Sequence, residues 1–293
     1  MNATIVYHQV KPGIDCPDGI AAAWVASKAY PSAKILGWTY QSEELPQVES
    51  GDRLIVVDFS FKGDVIEKWI EQGIELIVLD HHKTAEQELL RFLLGNLDLT
   101  LKKNKWDIRF DMDECGATMA WKYFFPEKPM PVFLEYVRDR DLWDFKLPKS
   151  EEIHEAVAAM RRSFALFDML SLMDREELLK FIAPIGEDLL APKRQAIADA
   201  ASRHQWEEVA GYNVPLVRLE EDGSEDRLTS DICMTLYRQY PEAPFSACLT
   251  SDGSYSLRSN KHGNNTDVGA IAVKMGGGGH KNSAGYRLAQ NDS

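Results

Sequence analysis

Asp80, His81 and His82 stand side by side at the end of the apolar run Leu76-Ile77-Val78-Leu79. Carboxylate oxygens and imidazole nitrogens both suit first-row divalent cations, and a strand end lets neighbouring side chains face one cavity. Asp58 ends an earlier apolar run, Leu54-Ile55-Val56-Val57, while Asp15 and Asp18 follow a first β-rich run that contains His8. A lone Asp at a strand end is ordinarily a turn or cap residue. Several of them on separate strands predict a shared rim instead. Mixed Asp and His ligation without cysteine favours manganese, magnesium or iron over structural zinc. Two such ions held by a shared carboxylate would clamp the attacking and leaving oxygens of a phosphoryl transfer.

Bringing these residues together requires a parallel sheet, whose ligands gather at the carboxyl ends of its strands. The first half of the chain has the pattern for one: short β-rich runs alternate with helical segments. Ile5 to His8 reads as a strand, Asp18 opens an Ala-rich helix to about Tyr30, and Lys34 to Tyr40 reads as a second strand. The runs ending in Asp58 and Asp80 follow, with helical periodicity from Lys62 to Gln72 between them. Trp106 to Phe110 predicts another strand and Cys115 to Phe125 another helix, stopped by Pro126 and Pro129.

From Glu151 to Leu190 the sequence reads as helical, and Pro192 to Trp206 as a polar, Ala-rich connecting helix. Beyond Val209 lie an apolar strand at Val214 to Val217, a helix from Ser230 to Tyr240, a hairpin around Ser251-Asp252-Gly253 and a helix from Thr266 to Met275. The expected architecture is α/β: a doubly wound, mainly parallel sheet over residues 1–150, a helical extension and connector over 151–208, and a second, smaller α/β domain over 209–293. Gly276, Gly277, Gly278 and Gly279 precede His280 in that last domain. Glycine amides approach an anion without Cβ obstruction and can form a nest around it, to which His280 would add a donor. His262 is a candidate for lining the same site.

Composition excludes some alternatives. The 33 Lys and Arg against 46 Asp and Glu leave a net charge of −13, the opposite of what coating a long nucleic acid requires. The four cysteines form no Cys-x-x-Cys pair, so neither a zinc knuckle nor a redox motif is expected. No apolar run reaches membrane-spanning length and the N-terminus has no signal-peptide pattern, so a cytoplasmic protein without membrane association is expected.

Taken in order, His8 with Asp15 and Asp18, then Asp58, then Asp80-His81-His82, then Asp139 in Tyr136-Val137-Arg138-Asp139-Arg140-Asp141 resemble the four motifs of the DHH phosphoesterase superfamily. The stretch from Gly276 to Gly285 is similar to the glycine-rich signature of its associated substrate-binding domain. Together they span almost the whole chain. The resemblance implies that Asp58 bridges two Mn2+ ions, with Mg2+ or another divalent ion as alternatives. His81 would ligate one ion, with His8, Asp15, Asp18, Asp80 and Asp139 completing the spheres. His82 would address the substrate phosphate as donor or acid. The loop between His8 and Asp15 is longer than the usual family spacing, and Asp141 competes with Asp139 for the fourth motif, the alternative for either being an ion pair with Arg138 or Arg140. Arg258, Gly277, Gly278, Gly279 and His280 would bind substrate. Substrate would enter between the two domains.

Family members act on short oligonucleotides, cyclic dinucleotides, single-stranded DNA, polyphosphate and pyrophosphate. The acidic balance and a terminal-phosphate site favour a small phosphorylated substrate, such as a short single-stranded oligonucleotide or a linear dinucleotide. An exopolyphosphatase or pyrophosphatase is the alternative enzyme, and a non-catalytic nucleotide-binding regulatory module the alternative class. A homodimer is left open.

Overall fold

A computed structural model describes residues 2–40, 42, 44–95, 106–261 and 263–287. His262 lies outside the described residues. The chain divides into two compact units, Met1–Leu189 and Leu190–Ser293.

The first unit is built on a six-stranded sheet. β1 (Ala3–Lys11) lies between β3 (Lys34–Trp38) and β4 (Arg53–Val57), followed outward by β5 (Glu75–Asp80) and β6 (Trp106–Phe110). All these pairings are parallel; the two-residue β2 (Ile14–Asp15) adds an antiparallel hairpin to the end of β1. The chain builds first to one side of β1 and then to the other, so the strand order reverses between β1 and β4. Open parallel sheets bind ligands at such a reversal. The apolar runs read from the sequence are buried on both sheet faces: Ile5, Ile55 and Ile77 contribute to one core, Val6, Val56 and Val78 to the other.

Helix α1 (Pro17–Ala29) is buried without interruption from Asp18 to Ala26, which its small alanines permit, and it packs against α4 (Gly116–Phe124). On the opposite face α2 (Gly63–Glu71) inserts Ile66, Trp69 and Ile70. Helix α3 (Lys83–Gly95) follows β5. α5 (Val132–Asp141), α6 (Ser150–Ala159) and α7 (Phe164–Leu170) extend the α1 side, with Phe133, Ile153 and Phe167 in its core. The helices after residue 150 thus share the first unit's core rather than standing apart as an extension.

A π-helical turn at Leu178–Ile182 leads into α8 (Ala183–Ser202), within which the chain passes from one unit to the other. The second unit has a six-stranded mixed sheet in the order β11-β12-β10-β9-β8-β7. These are β7 (Gln205–Val209), β8 (Tyr212–Arg218), β9 (Ser246–Leu249), β10 (Ser254–Arg258), β11 (Gly278–His280) and β12 (Ser283–Arg287). Trp206, read as helical from the sequence, lies in β7, and Gly278 to His280 form a strand rather than a loop. One core, with Cys233 and Leu236, packs α9 (Thr229–Gln239); the other, with Val268 and Ile271, packs α10 (Val268–Lys274). No described helix is long and apolar enough to cross a membrane.

His154, on α6, is a polar residue at the edge of the first core. Burial, and behind it the charges of Arg162 and Arg140, hold its imidazole down at about 4. The folded chain therefore refuses a proton that the unfolded chain accepts near its ordinary pKa of about 6.5. The stabilisation is fully present above that value and is lost as pH falls toward 4. Between pH 7 and pH 5 the melting temperature of the native protein should fall more steeply than that of His154→Gln. Parallel curves would remove His154 as a source of acid sensitivity.

Candidate metal centre

At the strand reversal, β1 and β4 deliver His8 and Asp58. Asp58 follows β4 with a left-handed backbone, φ +55°, which non-glycine residues seldom adopt and which Asp tolerates better than most. Its amide remains bonded to the Leu79 carbonyl at 2.9 Å, so the turn is anchored to β5 while the carboxylate points into the protein, 1% exposed. Oδ1 stands 3.1 Å from His81 Nε2, and Oδ2 faces His8 Nδ1 at 3.5 Å. Among the described residues neither His8 Nδ1 nor Asp58 Oδ2 has a hydrogen-bond partner, although both atoms are buried.

Asp18, in the first turn of α1, accepts hydrogen bonds from the amides of Gly116 and Ala117 at 2.5 and 2.8 Å, which caps α4. The Asp18 Oδ2 also lies 3.7 Å from His81 Nε2. Two glycines make this crowding feasible. A Cβ on Gly116 would stand 2.6 Å from the Asp58 Cβ, and one on Gly19 would stand 2.5 Å from the His8 carbonyl oxygen.

A third carboxylate completes the group, and it belongs to Asp141: its Oδ2 is 3.5 Å from His81 Nε2. Asp139 is employed elsewhere. Its two carboxylate oxygens accept the amides of Lys146 and Leu147, and its carbonyl accepts those of Asp144 and Phe145. This fastens a loop in which Trp143 and Phe145 both take left-handed backbones. Asp15 is likewise occupied, accepting from the Tyr7 hydroxyl and Gln9 Nε2 at 2.7 Å each. Asp80, fully buried, uses Oδ1 to accept from the amides of His81 and His82 and from His82 Nδ1, the last at 2.6 Å, while its Oδ2 has no partner among the described residues. Asp80 therefore holds the His82 ring by Nδ1, which leaves Nε2 as the ring nitrogen not bonded to Asp80.

The electrostatics follow from three carboxylates gathered around one imidazole. Burial, then the charges of Asp58 and Asp141, push the Asp18 carboxyl well above its ordinary range. Burial also pushes Asp58 up, but the facing imidazoles of His8 and His81 outweigh it and hold that carboxyl low. Burial pulls His81 down, and Asp58, Asp18 and Asp141 more than reverse this, to about 9. His82 is raised, chiefly by its bond to Asp80. Burial and the charges of Asp58 and Asp18 keep the Cys16 thiol protonated, so it is no nucleophile.

Among the described residues three sets of side chains bring ligand atoms within 4.8 Å of one another: His8, Cys16 and Asp58; Asp58, His81 and His82; Asp18, His81 and Asp141. Asp58 belongs to two of the sets and His81 to two. Buried carboxylates with orphaned oxygens call for a cation, since burying like charges together without one is costly. Apart from the Cys16 sulfur, the donors are oxygen and nitrogen, a set that suits a divalent first-row ion or magnesium.

In the second unit, Arg258, Gly278 and Gly279 line one pocket together with Ser283 and Arg287. The Arg258 guanidinium is held by Ser256 Oγ, the Leu257 carbonyl and Ser230 Oγ. Gly277 lies against the backbone of Gly285 and Tyr286, and His280 is exposed at the end of β11.

No protein-family model matches the chain. An uncharacterized protein of Acanthamoeba polyphaga mimivirus is 31% identical over 241 residues, covering 80% of this chain and 53% of that protein, so the chain spans about half the length of this curated relative. Two solved structures share its architecture. The DHH domain of a member of a ribosomal-protein family aligns over 97% of this chain and 82% of its own, with a TM-score of 0.51 and 14% identity. The fold of this chain is that of this DHH domain. A pGpG-specific phosphodiesterase from Vibrio cholerae aligns over 100% of this chain and 94% of its own, with a TM-score of 0.54 and 13% identity. Within the DHH fold, the sequence signal for Asp141 was present in the Asp-x-Asp pair 139–141. Nothing in the sequence reveals that Asp139 is consumed by backbone amides.

The two aspartates should therefore separate experimentally. Asp139→Ala leaves two amides without their acceptor and should cost about 1–3 kcal/mol of stability. Asp141→Ala should leave the melting temperature unchanged or higher and weaken Mn2+ uptake in equilibrium dialysis. The converse pattern would return the ligand role to Asp139.

Proposed function

We propose that the chain is a divalent-metal-dependent phosphohydrolase of phosphodiester type, acting on short oligonucleotides or linear dinucleotides. The observation that carries this reading is the buried pair His8 Nδ1 and Asp58 Oδ2, without a hydrogen-bond partner among the described residues, beside a His81 imidazole already surrounded by three carboxylates. Asp58 would be the shared carboxylate, with His8 on one side and Asp18, His81 and Asp141 on the other. Manganese is the proposed ion and magnesium its substitute. When bound, a pair of such cations supplies an acidified water and neutralises phosphoryl oxygens.

The chain's own residues do the rest. Asp80 holds the His82 ring by Nδ1, which fixes its orientation and raises its affinity for a proton. His82 Nε2 is then the proton donor to a phosphoryl oxygen or to the departing oxygen, a role worth about 10²–10⁴ in rate. The second unit contributes anion recognition through Arg258, whose fork is steadied by two hydroxyls and a carbonyl. The acidic net charge is consistent with a short substrate rather than a long polymer.

Elemental analysis after dialysis against Mn2+ should give about two ions per chain, and the loaded protein should hydrolyse linear dinucleotides faster than tripolyphosphate or pyrophosphate. Preference for the inorganic substrates would make it a polyphosphatase or pyrophosphatase. Nucleotide binding without metal or turnover would make it a regulatory module. Asp58→Ala should abolish activity in a folded protein. His81→Ala should lose metal, whereas His82→Ala should keep metal and lose kcat; equal metal loss in both would end the proposed division of roles.

Arg258→Ala and His280→Ala should leave metal content intact and lower kcat/KM about tenfold, roughly 1.4 kcal/mol of transition-state stabilisation. Wild-type efficiency in both variants on a terminally phosphorylated dinucleotide would remove the second unit from substrate recognition.

A further inference from the structure

Strand β3 ends at Trp38, whose backbone is in register with His8 of the neighbouring β1. The chain then turns over residues 39–42. The Ser42 amide donates to the Thr39 carbonyl at 3.0 Å, and the hydroxyls of the same two residues meet at 3.2 Å. Because β3 and β1 are parallel, this turn stands on the sheet rim that carries His8, the rim where open parallel sheets bind their ligands. Tyr40 lies within the turn.

The Tyr40 ring is packed on the metal centre. Its centroid is 5.6 Å from that of His8 and 6.3 Å from that of His82, edge to face in both cases. A third ring, that of Phe59, lies 4.4 Å from it at a tilt of 36°. Phe59 directly follows Asp58 and is buried; it meets Phe61 at 5.0 Å, which in turn meets Trp69 of α2 at 4.9 Å. Tyr40 is thus the outer member of an aromatic series rooted in the core, and the series and the turn together fix its position.

Despite this packing, Tyr40 remains 58% exposed. A single exposed aromatic is ordinary on a protein surface and by itself needs no ligand. Location sets this one apart. Among the described residues it is the one exposed large apolar side chain whose ring contacts histidines of the centre. A nucleobase is joined to its phosphate through one ribose, so a nucleotide whose phosphate is addressed by His82 carries its base into the neighbourhood of this ring. An inorganic phosphate chain has no π face to offer it.

We infer that Tyr40 is a stacking platform for the nucleobase next to the phosphate being cleaved, and so a specificity residue that favours nucleotides over inorganic phosphoanhydrides. This rests on the phosphodiesterase reading for the place of that phosphate, and it adds to the first unit a recognition element distinct from Arg258. Stacking accepts any base, because every base has a π face. Selection at this position is therefore for the presence of a base and not for its identity.

Two probes that differ only by the base, adenosine 5′-monophosphate and ribose 5-phosphate, test this by titration calorimetry on the Mn2+-equilibrated full-length chain. Neither contains a phosphodiester or an anhydride, so no turnover is needed. The base preference can fail while dinucleotide hydrolysis stands, and hydrolysis can fail while the preference stands. The native protein should bind the nucleotide about tenfold more tightly than the sugar phosphate, the scale of one base–aromatic stack. Tyr40→Phe should keep that ratio. Tyr40→Ala should bring it close to one, and Tyr40→Leu, which retains apolar cover over Phe59, should do the same and serves should the alanine variant fold poorly. A tyrosine of purely structural importance would weaken both probes alike and leave their ratio unchanged. Equal affinity for the two probes in the native protein, or no binding of the nucleotide, would overturn the inference. So would a preference that survives in the folded leucine or alanine variant, or one that disappears in Tyr40→Phe.

Discussion

Three carboxylates around one imidazole, those of Asp18 and Asp58 buried and that of Asp141 half-buried, are the constraint on which the first unit depends. Asp18, Asp58 and Asp141 converge on His81 within 3.1 to 3.7 Å. Such an arrangement is unfavourable in itself, because burial opposes each charge and the charges oppose one another. Its persistence has to be supplied by the scaffold. The parallel sheet anchors Asp58 through its amide, helix α4 donates two amides to Asp18, and Gly19 and Gly116 remove the Cβ atoms that would force the groups apart. Backbone strain at Asp58 belongs to the same account: a residue held in a sparsely populated conformation persists only where its surroundings over-determine it.

Much of this scaffold was legible in the sequence because the relevant signals are local. Apolar runs ending in Asp58 and Asp80 state both the strand and the residue at its carboxyl end, and the parallel sheet then requires those ends to lie together. The glycine run and its following histidine were also visible, but their conformation was not. A run of glycines reads as a flexible turn or nest, whereas Gly278 to His280 pair with Gly285, Ala284 and Ser283 as an edge strand. Pairing with a partner strand is a tertiary fact that a glycine's own freedom does not disclose.

The choice between Asp139 and Asp141 illustrates a different limit. Two residues apart on a helix, they cannot present their side chains to the same face. One can reach the metal centre while the other turns toward the chain that follows. Which does which is decided by the loop after the helix, where the amides of Lys146 and Leu147 need an acceptor and find Asp139. That demand arises only once Trp143 and Phe145 have turned into left-handed conformations. Sequence spacing identified the pair, and the backbone of the next five residues distributed the roles. The same holds for Asp15, whose carboxylate is claimed by Tyr7 and Gln9 of its own hairpin.

The loop that Asp139 fastens after the helix lies against Arg140, the neighbour of Asp141. Asp139 binds four backbone amides through its side chain and carbonyl; this curls residues 143–147 back and brings Trp143 and Phe145 over Arg140. The next residue, Asp141, then faces His81. A carboxylate of the cluster and a guanidinium stacked on two rings therefore occupy consecutive positions of one helix end. Asp139 thus acts on charge placement while making no contact with the centre itself. Its effect on function passes through geometry, which is why its loss should appear first as lost stability and only secondarily as lost metal affinity.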